Sequence, residues 1–207
     1  MPKITALVLF MVVMLTGCHT LHQRYDLEVP EIKTATVKNL TVGVQDEREY
    51  VRSNARPEQY VGMNVGAFGA HFPFNAANDQ PLADVFAERI QKGLGETGVD
   101  VKRVRLPLQM KKDDAIKALS SMKQKSVLIT LYDWKTISVY NTKLFYDIEI
   151  DVYDAEGRPL VKKHLKGIDV LGNDGMTSID FTWRIRSAAL MEKIEQLFSI
   201  PEIASQL

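Results

Sequence analysis

Few side chains in this chain combine the type and spacing that chemistry needs. Its only cysteine is Cys18, which follows Leu15, Thr16 and Gly17. A lone thiol serves as a core residue, a nucleophile or a modification site, and it can close no disulfide within the chain. The four histidines are His19, His22, His71 and His164. His19 and His22 stand three apart with no acidic or cysteine ligand set beside them, so a solvated stretch is the reading preferred over a metal centre. His71 lies among Phe72, Pro73 and Phe74, where packing explains it better than proton transfer. Asp147, Glu149 and Asp151 alternate along one segment and would share one face of a strand. Such a row could line a glycosidase cleft, although outward charges on a half-exposed strand are the commoner cause. Asp113 and Asp114 open a helical pattern, where carboxylates suit the helix dipole. In the cluster Asp46-Glu47-Arg48-Glu49, Arg48 has two readings: an internal pair with Asp46, or a contact with a partner or anionic ligand together with Tyr50 and Arg52. The sequence contains no nucleophile elbow, phosphate-binding glycine loop or zinc-protease motif. No cofactor is implied, and no enzymatic activity is expected.

The surroundings of Cys18 narrow its reading. Lys3 precedes an apolar run from Ile4 to Leu15, broken only by Thr5. This is the layout of a secretory leader, and the run is short of the roughly 20 residues that span a bilayer. The chain turns polar directly after Cys18. Leu15-Thr16-Gly17-Cys18 resembles the lipobox of bacterial lipoproteins, in which small residues admit the peptidase and the cysteine becomes acylated. That resemblance implies removal of residues 1–17 and attachment to a membrane through two or three acyl chains, enough for a durable anchor. It also implies, since His19 and not Asp follows the cysteine, an outer-membrane location facing the periplasm.

The chain has 207 residues, 45% of them hydrophobic and 25% charged, which suits one globular domain with its own core. Lys+Arg and Asp+Glu both total 26, and loss of the leader removes only Lys3. This balance excludes the strong positive field of a nucleic-acid-binding protein. Residues 18–38 read as the lipidated terminus and tether, and 39–207 as a single domain.

Alternation over Leu40–Val44 predicts a strand ending at the Asp46–Glu49 cluster. Residues 49–78 are rich in glycine and proline, with a short strand expected within Val65–Phe74. A helix is expected from about residue 80, capped by Asn78 or Asp79, with Leu82, Phe86, Ile90 and Leu94 on its buried stripe. Strand 99–104, helix 113–122 and strand 126–140 come next. Tyr146, Ile148, Ile150 and Val152 then alternate with Asp147, Glu149, Asp151 and Tyr153, and Asp154–Gly157 is a turn. Pairing of Tyr153 with Arg158 would set Glu149 opposite Lys162 and Asp147 opposite His164. A last helix over 180–198, with Thr177, Ser178 or Asp180 as cap, precedes Pro201. The fold expected is α/β (α+β): one mixed sheet with a long antiparallel hairpin and about three helices, packed mainly on one face.

In this order of pieces the chain resembles the YajG-like family of bacterial lipoproteins. The likeness lies in Cys18, the Asp46-x-Arg48 step, the helix carrying Leu82, Phe86 and Ile90 into Gly98-Val99-Asp100-Val101, the hairpin Leu128–Gly167 and the C-terminal helix. It implies an α/β domain on a lipid anchor with no established catalysis. The leading expectation is therefore an interaction or accessory subunit of the cell envelope, with an unidentified protein partner. The alternative is a module for a lipid, glycan or peptide, built on Phe68, Phe72 and Phe74. A cell-wall hydrolase using the acidic row ranks last.

Overall fold

The computed structural model describes residues 29–33, 36–172 and 179–207. Cys18, Leu15, Thr16 and Gly17, most of the expected tether, and the expected caps Thr177 and Ser178 lie outside the described residues.

Seven strands form one mixed sheet: β1 (Asn39–Asp46), β2 (Tyr60–Val65), β3 (His71–Asn75), β4 (Asp100–Arg105), β5 (Ser126–Ser138), β6 (Thr142–Tyr153) and β7 (Pro159–Gly172). The described α-helices are α1 (Glu49–Arg52), α2 (Leu82–Glu96), α3 (Lys112–Ser120), α4 (Ile179–Ser199) and α5 (Pro201–Ala204). The thirteen-residue β5 is the axis. On one side it pairs antiparallel with β6 over its whole length, and β6 pairs with β7. On its other side it pairs parallel with β1 over Ser126–Leu131, then with β2 over Thr136–Ser138. Two strands thus lie end to end along one neighbour. β4 extends the sheet beyond β1, and β3 extends it beyond β2.

The expected long hairpin is therefore a three-stranded antiparallel meander, because the chain turns at residues 139–141 between two strands that both alternate. The helices also depart from expectation. α2 and α4 cover one face, where Leu40, Val42, Val44, Ile129, Leu131, Ile148, Ile150 and Val152 meet Phe86, Ile90, Leu94, Ile194 and Leu197 in the main core. α3 lies on the opposite face, where Ala115 and Leu119 enclose Leu106, Leu128 and Tyr153 in a second, smaller core. Gly43 permits this close approach, since a Cβ there would stand 2.9 Å from Leu119 Cδ2. Alternation gives two faces but does not say how much of each is covered. α2 takes no side-chain cap from Asn78 or Asp79; Pro81 stands at its N-cap, and both residues have left-handed backbone, with φ of 57° and 52°.

The acidic strand pairs as its pattern demands, with an offset. Asp147 stands opposite Lys166, Glu149 opposite His164 and Asp151 opposite Lys162, two residues from the expected register. An irregularity between Val152 and Tyr153 admits the difference. A shift of two preserves the face, so the anticipated ion pairs survive as diagonals: Glu149 with Lys162 at 2.8 Å, and Asp147 with His164.

The packed domain begins upstream of β1. Ile32 is buried in the main core, and Pro30 lies against Gly93 of α2. Thr36 and Val37 both donate to the carbonyl of Leu207.

Gly62 joins β2 to β5 at φ +153°, and a Cβ there would lie 2.2 Å from the carbonyl oxygen of Thr136. Gly62→Ala should lower stability by about 3 kcal/mol or more, combining backbone strain with a clash that no side-chain movement relieves. Gly98→Ala, at φ +84° with open space around it, should cost about 1 kcal/mol. Denaturation midpoints of the two variants check the contrast.

Candidate functional site

Asp46, Arg48 and Tyr50 meet where β5 passes from β1 to β2. Glu47 N–H donates to Leu131 O, the last backbone link on the β1 side, and β2 begins to pair only at Thr136. Between them β5 has no neighbouring strand on this flank, and side chains take its place. The Tyr50 hydroxyl lies 2.9 Å from the Trp134 carbonyl and 3.0 Å from Asp133 Oδ1. Arg48 is fully enclosed. Its Nε and Nη2 donate to the two carboxylate oxygens of Asp46 at 2.8 and 2.7 Å. Nη1 donates to Tyr60 O at 2.6 Å and Trp134 O at 3.4 Å, and Nη2 also to Glu58 O at 2.8 Å. Burial opposes the charge on Arg48, but the hydrogen bond and field of Asp46 outweigh it and raise the guanidinium pKa. Burial pushes Tyr50 up as well, so it stays a neutral donor. Arg52 turns outward to Glu47 and Gln109. Of the two readings of Arg48, the geometry is that of the internal pair, with its donors aimed at protein atoms.

The three phenylalanines do not converge. Phe74 turns inward, edge-on to the Trp183 ring at 5.4 Å, with the Arg186 guanidinium 3.6 Å from its own ring centre. Phe68 and Phe72 are exposed. A cavity of about 80 Å³ does lie beneath α2 and α4, lined by Val61, Leu82, Val85, Trp134, Trp183 and Leu190, with Arg89 and Arg186 among its walls. Pockets for whole small ligands run to roughly 300–1,000 Å³, so this one admits a single small apolar group.

The acidic row belongs to the sheet face that carries α3. Lys112, the first residue of α3, reaches Glu149 Oε1 at 2.7 Å and Asp151 Oδ2 at 2.6 Å. Lys162 and Lys166 bind Glu149 and Asp147 from β7. Glu149 and Asp151 are 7% and 4% exposed, so the row is a buried charged belt and not a solvated outer face. Helix α3 supplies the cover that strand alternation alone does not reveal. Burial raises Asp151, and its neighbour Glu149 adds to the effect. Burial acts on Glu149 too, but hydrogen bonds from Lys112 and Lys162 hold that carboxyl below its ordinary value. Lys112 is raised, its two carboxylate bonds outweighing burial. No group of three or more His, Cys, Asp or Glu among the described residues could hold a metal.

Above this belt no helix among the described residues covers the same face. Met63, Ile137, Phe145, Ile168 and Val170 stand on it, with Met63 paired to Ile137, Ile137 to Lys143, Lys143 to Val170, and Phe145 to Ile168. Ile168 and Val170 are 61% and 64% exposed. Sequence reading missed this surface. The available signal was the outward row of β7, which changes from Lys162, His164 and Lys166 to Ile168 and Val170.

Among the described residues these features define a mixed α+β domain whose sheet carries α2 and α4 on one face and α3 over part of the other. No family model and no curated protein matches the chain. Protein XCC0632 from Xanthomonas campestris, of family DUF330, shares the fold at 10% identity and TM-score 0.52, over 86% of this chain and 90% of its own. Looser overlaps are with the PelC dodecamer from Paraburkholderia phytofirmans (12% identity, TM-score 0.43, 83% of this chain and 91% of that one) and lipoprotein GNA1162 from Neisseria meningitidis (12%, 0.36, 78% and 99%). The XCC0632 likeness is one of fold. No helix among the described residues is long and apolar enough to cross a membrane.

Arg48→Met should destabilise by about 3–5 kcal/mol, because it strands the Asp46 charge and the carbonyls of Glu58 and Tyr60. Arg48→Lys should recover little, since an ammonium cannot reproduce the planar fork. Lys112→Met should cost about 1–3 kcal/mol at pH 7, less than a fully enclosed pair, because Lys112 is 35% exposed. The sign with pH distinguishes the mechanism. Lys112 stabilises ionised carboxylates, so its contribution is present while they are charged and fades as they protonate. The gap between variant and parent should therefore narrow from pH 7 towards pH 4, as urea unfolding at each pH will show.

Proposed function

We propose that this chain is a lipid-anchored envelope protein, acylated at Cys18, with its domain on the periplasmic side of the outer membrane. Its role is non-enzymatic: an interaction or accessory subunit of the kind the YajG-like resemblance implies. One observation carries the reading. The sole cysteine stands directly behind Leu15-Thr16-Gly17, at the end of a short apolar run that turns polar at once. The carboxylates best placed for hydrolysis support a structural role instead. Asp147, Glu149 and Asp151 are each held by lysine or histidine, at separations that leave no room for a water or sugar between them. The second reading, a module for a lipid, glycan or peptide, draws on the cavity beside Trp183, which would take one apolar group of a larger ligand.

The deciding measurement is the intact mass of protein purified from its native membrane. The expected mass is that of residues 18–207 plus acyl groups, absent in Cys18→Ala. A full-length, unacylated mass would overturn the anchor, and with it the envelope assignment.

A further inference from the structure

At one end of the sheet the described residues expose several large apolar side chains. β2 and β5 run parallel and β6 and β7 antiparallel to β5 and β6 respectively, so the last residues of β2, β5 and β7 lie at one end. There Phe68, Phe72, Val139 and Tyr140 are 109%, 58%, 51% and 81% exposed, with Ile168 and Val170 just below. Phe68 adopts a left-handed backbone, φ 58°, in the turn after β2. A bulky residue there is strained, and its side chain gains no internal contact in return. Exposed large apolar side chains gathered at one end of a domain mark an interaction surface.

Charge identifies what it fits. The two hairpins that meet at this end, 60–75 and 134–146, contain no Asp or Glu, although the chain has 26 of them. They carry Lys135 and Lys143. Lys135 bonds Asp133 below it and lies 5.1 and 5.7 Å from the Tyr50 and Phe145 ring centres. Exposed aromatic tips on two hairpins that between them carry lysine and no acid suit the headgroup layer of an anionic bilayer.

The tether permits the contact. Thr36 and Val37 sit at the opposite end of the domain, bonded to Leu207, and the chain back to Pro30 climbs to Gly93 between α2 and α4. Glu31 N–H donates to Glu195 Oε1 at 2.8 Å, which fixes this segment to α4. From Gly93 to the start of α2 at Leu82 is about 17 Å of helix. Cys18 stands eleven residues before Val29, a span of up to about 36–40 Å, so acyl chains there and the loop end can reach one bilayer together.

We propose that the Phe68–Tyr140 end of the domain rests in the lipid headgroup region of the membrane that holds the anchor. This rests on the acylation reading, and the test separates the two. Acylated protein carrying Tyr140→Cys is labelled with an environment-sensitive fluorophore and reconstituted into phosphatidylethanolamine–phosphatidylglycerol vesicles. Ser121→Cys, exposed near the opposite end, is treated identically. The label at 140 should shift to the blue and brighten several-fold on vesicle addition, with no change at 121. Flotation of the same samples reports the anchor. Floating protein with both labels unshifted overturns the docked end and leaves the anchor standing, as does a shift at 140 that appears only when envelope proteins are added. Protein that neither floats nor shifts overturns both.

Discussion

The guanidinium of Arg48 stands in for a missing length of strand. A long β5 must take its backbone partners from two short strands laid end to end, and at the junction its own polar groups would face nothing. Buried backbone groups left without partners cost on the order of 1–3 kcal/mol each, so such a junction forms only if something fills it. Arg48 reaches across it to carbonyls of Glu58, Tyr60 and Trp134, and Tyr50 reaches Trp134 from the same turn. Asp46 balances the charge and fixes the fork. Both faces of the sheet are built on strands whose relative positions this joint sets.

The joint also governs how the helices divide the sheet. Because β1 and β2 share one flank of β5, the lower sheet is β4-β1-β5-β6-β7 and the upper sheet is β3-β2-β5-β6-β7. The long α2 and α4 cross both halves of one face, but α3 has nine residues and covers only the lower half of the other. The Lys112 belt closes the edge of that cover. Its two buried carboxylates would repel each other if left alone, so the lysine at the head of α3 ties the helix to the sheet at the place where shielding stops.

Much of this is legible in sequence, and the reasons are specific. The stripe Leu82–Phe86–Ile90–Leu94 and the alternation of Tyr146 to Val152 each bury one face against a single core, so periodicity places α2 and β6 within a few residues. Asp46, Arg48 and Tyr50 stand out as a cluster at a strand end, but their task depends on β5, more than eighty residues further on, and no local pattern encodes that distance. The acidic row reads as solvated, and is not, for the same reason: strand alternation separates two faces, and only the position of α3 decides which part of one face is dry. The two-residue register offset belongs to this class too, since an even shift leaves every hydrophobic position satisfied.

Stability alone does not account for the uncovered end. An exposed phenylalanine with left-handed backbone contributes nothing to the core, and glycine or asparagine would hold that turn with less strain. The aliphatic positions of upper β7 continue a row that is charged lower down, so a polar side chain would fit the strand equally well there. The long edge of β7 carries lysines where it borders the belt, the usual guard against strand-to-strand aggregation, yet loses them towards the loop end. Acid has been kept out of both neighbouring hairpins. Each of these choices works against solubility while leaving the fold intact. Together they make sense if that end of the domain is not left in water when the protein is in place.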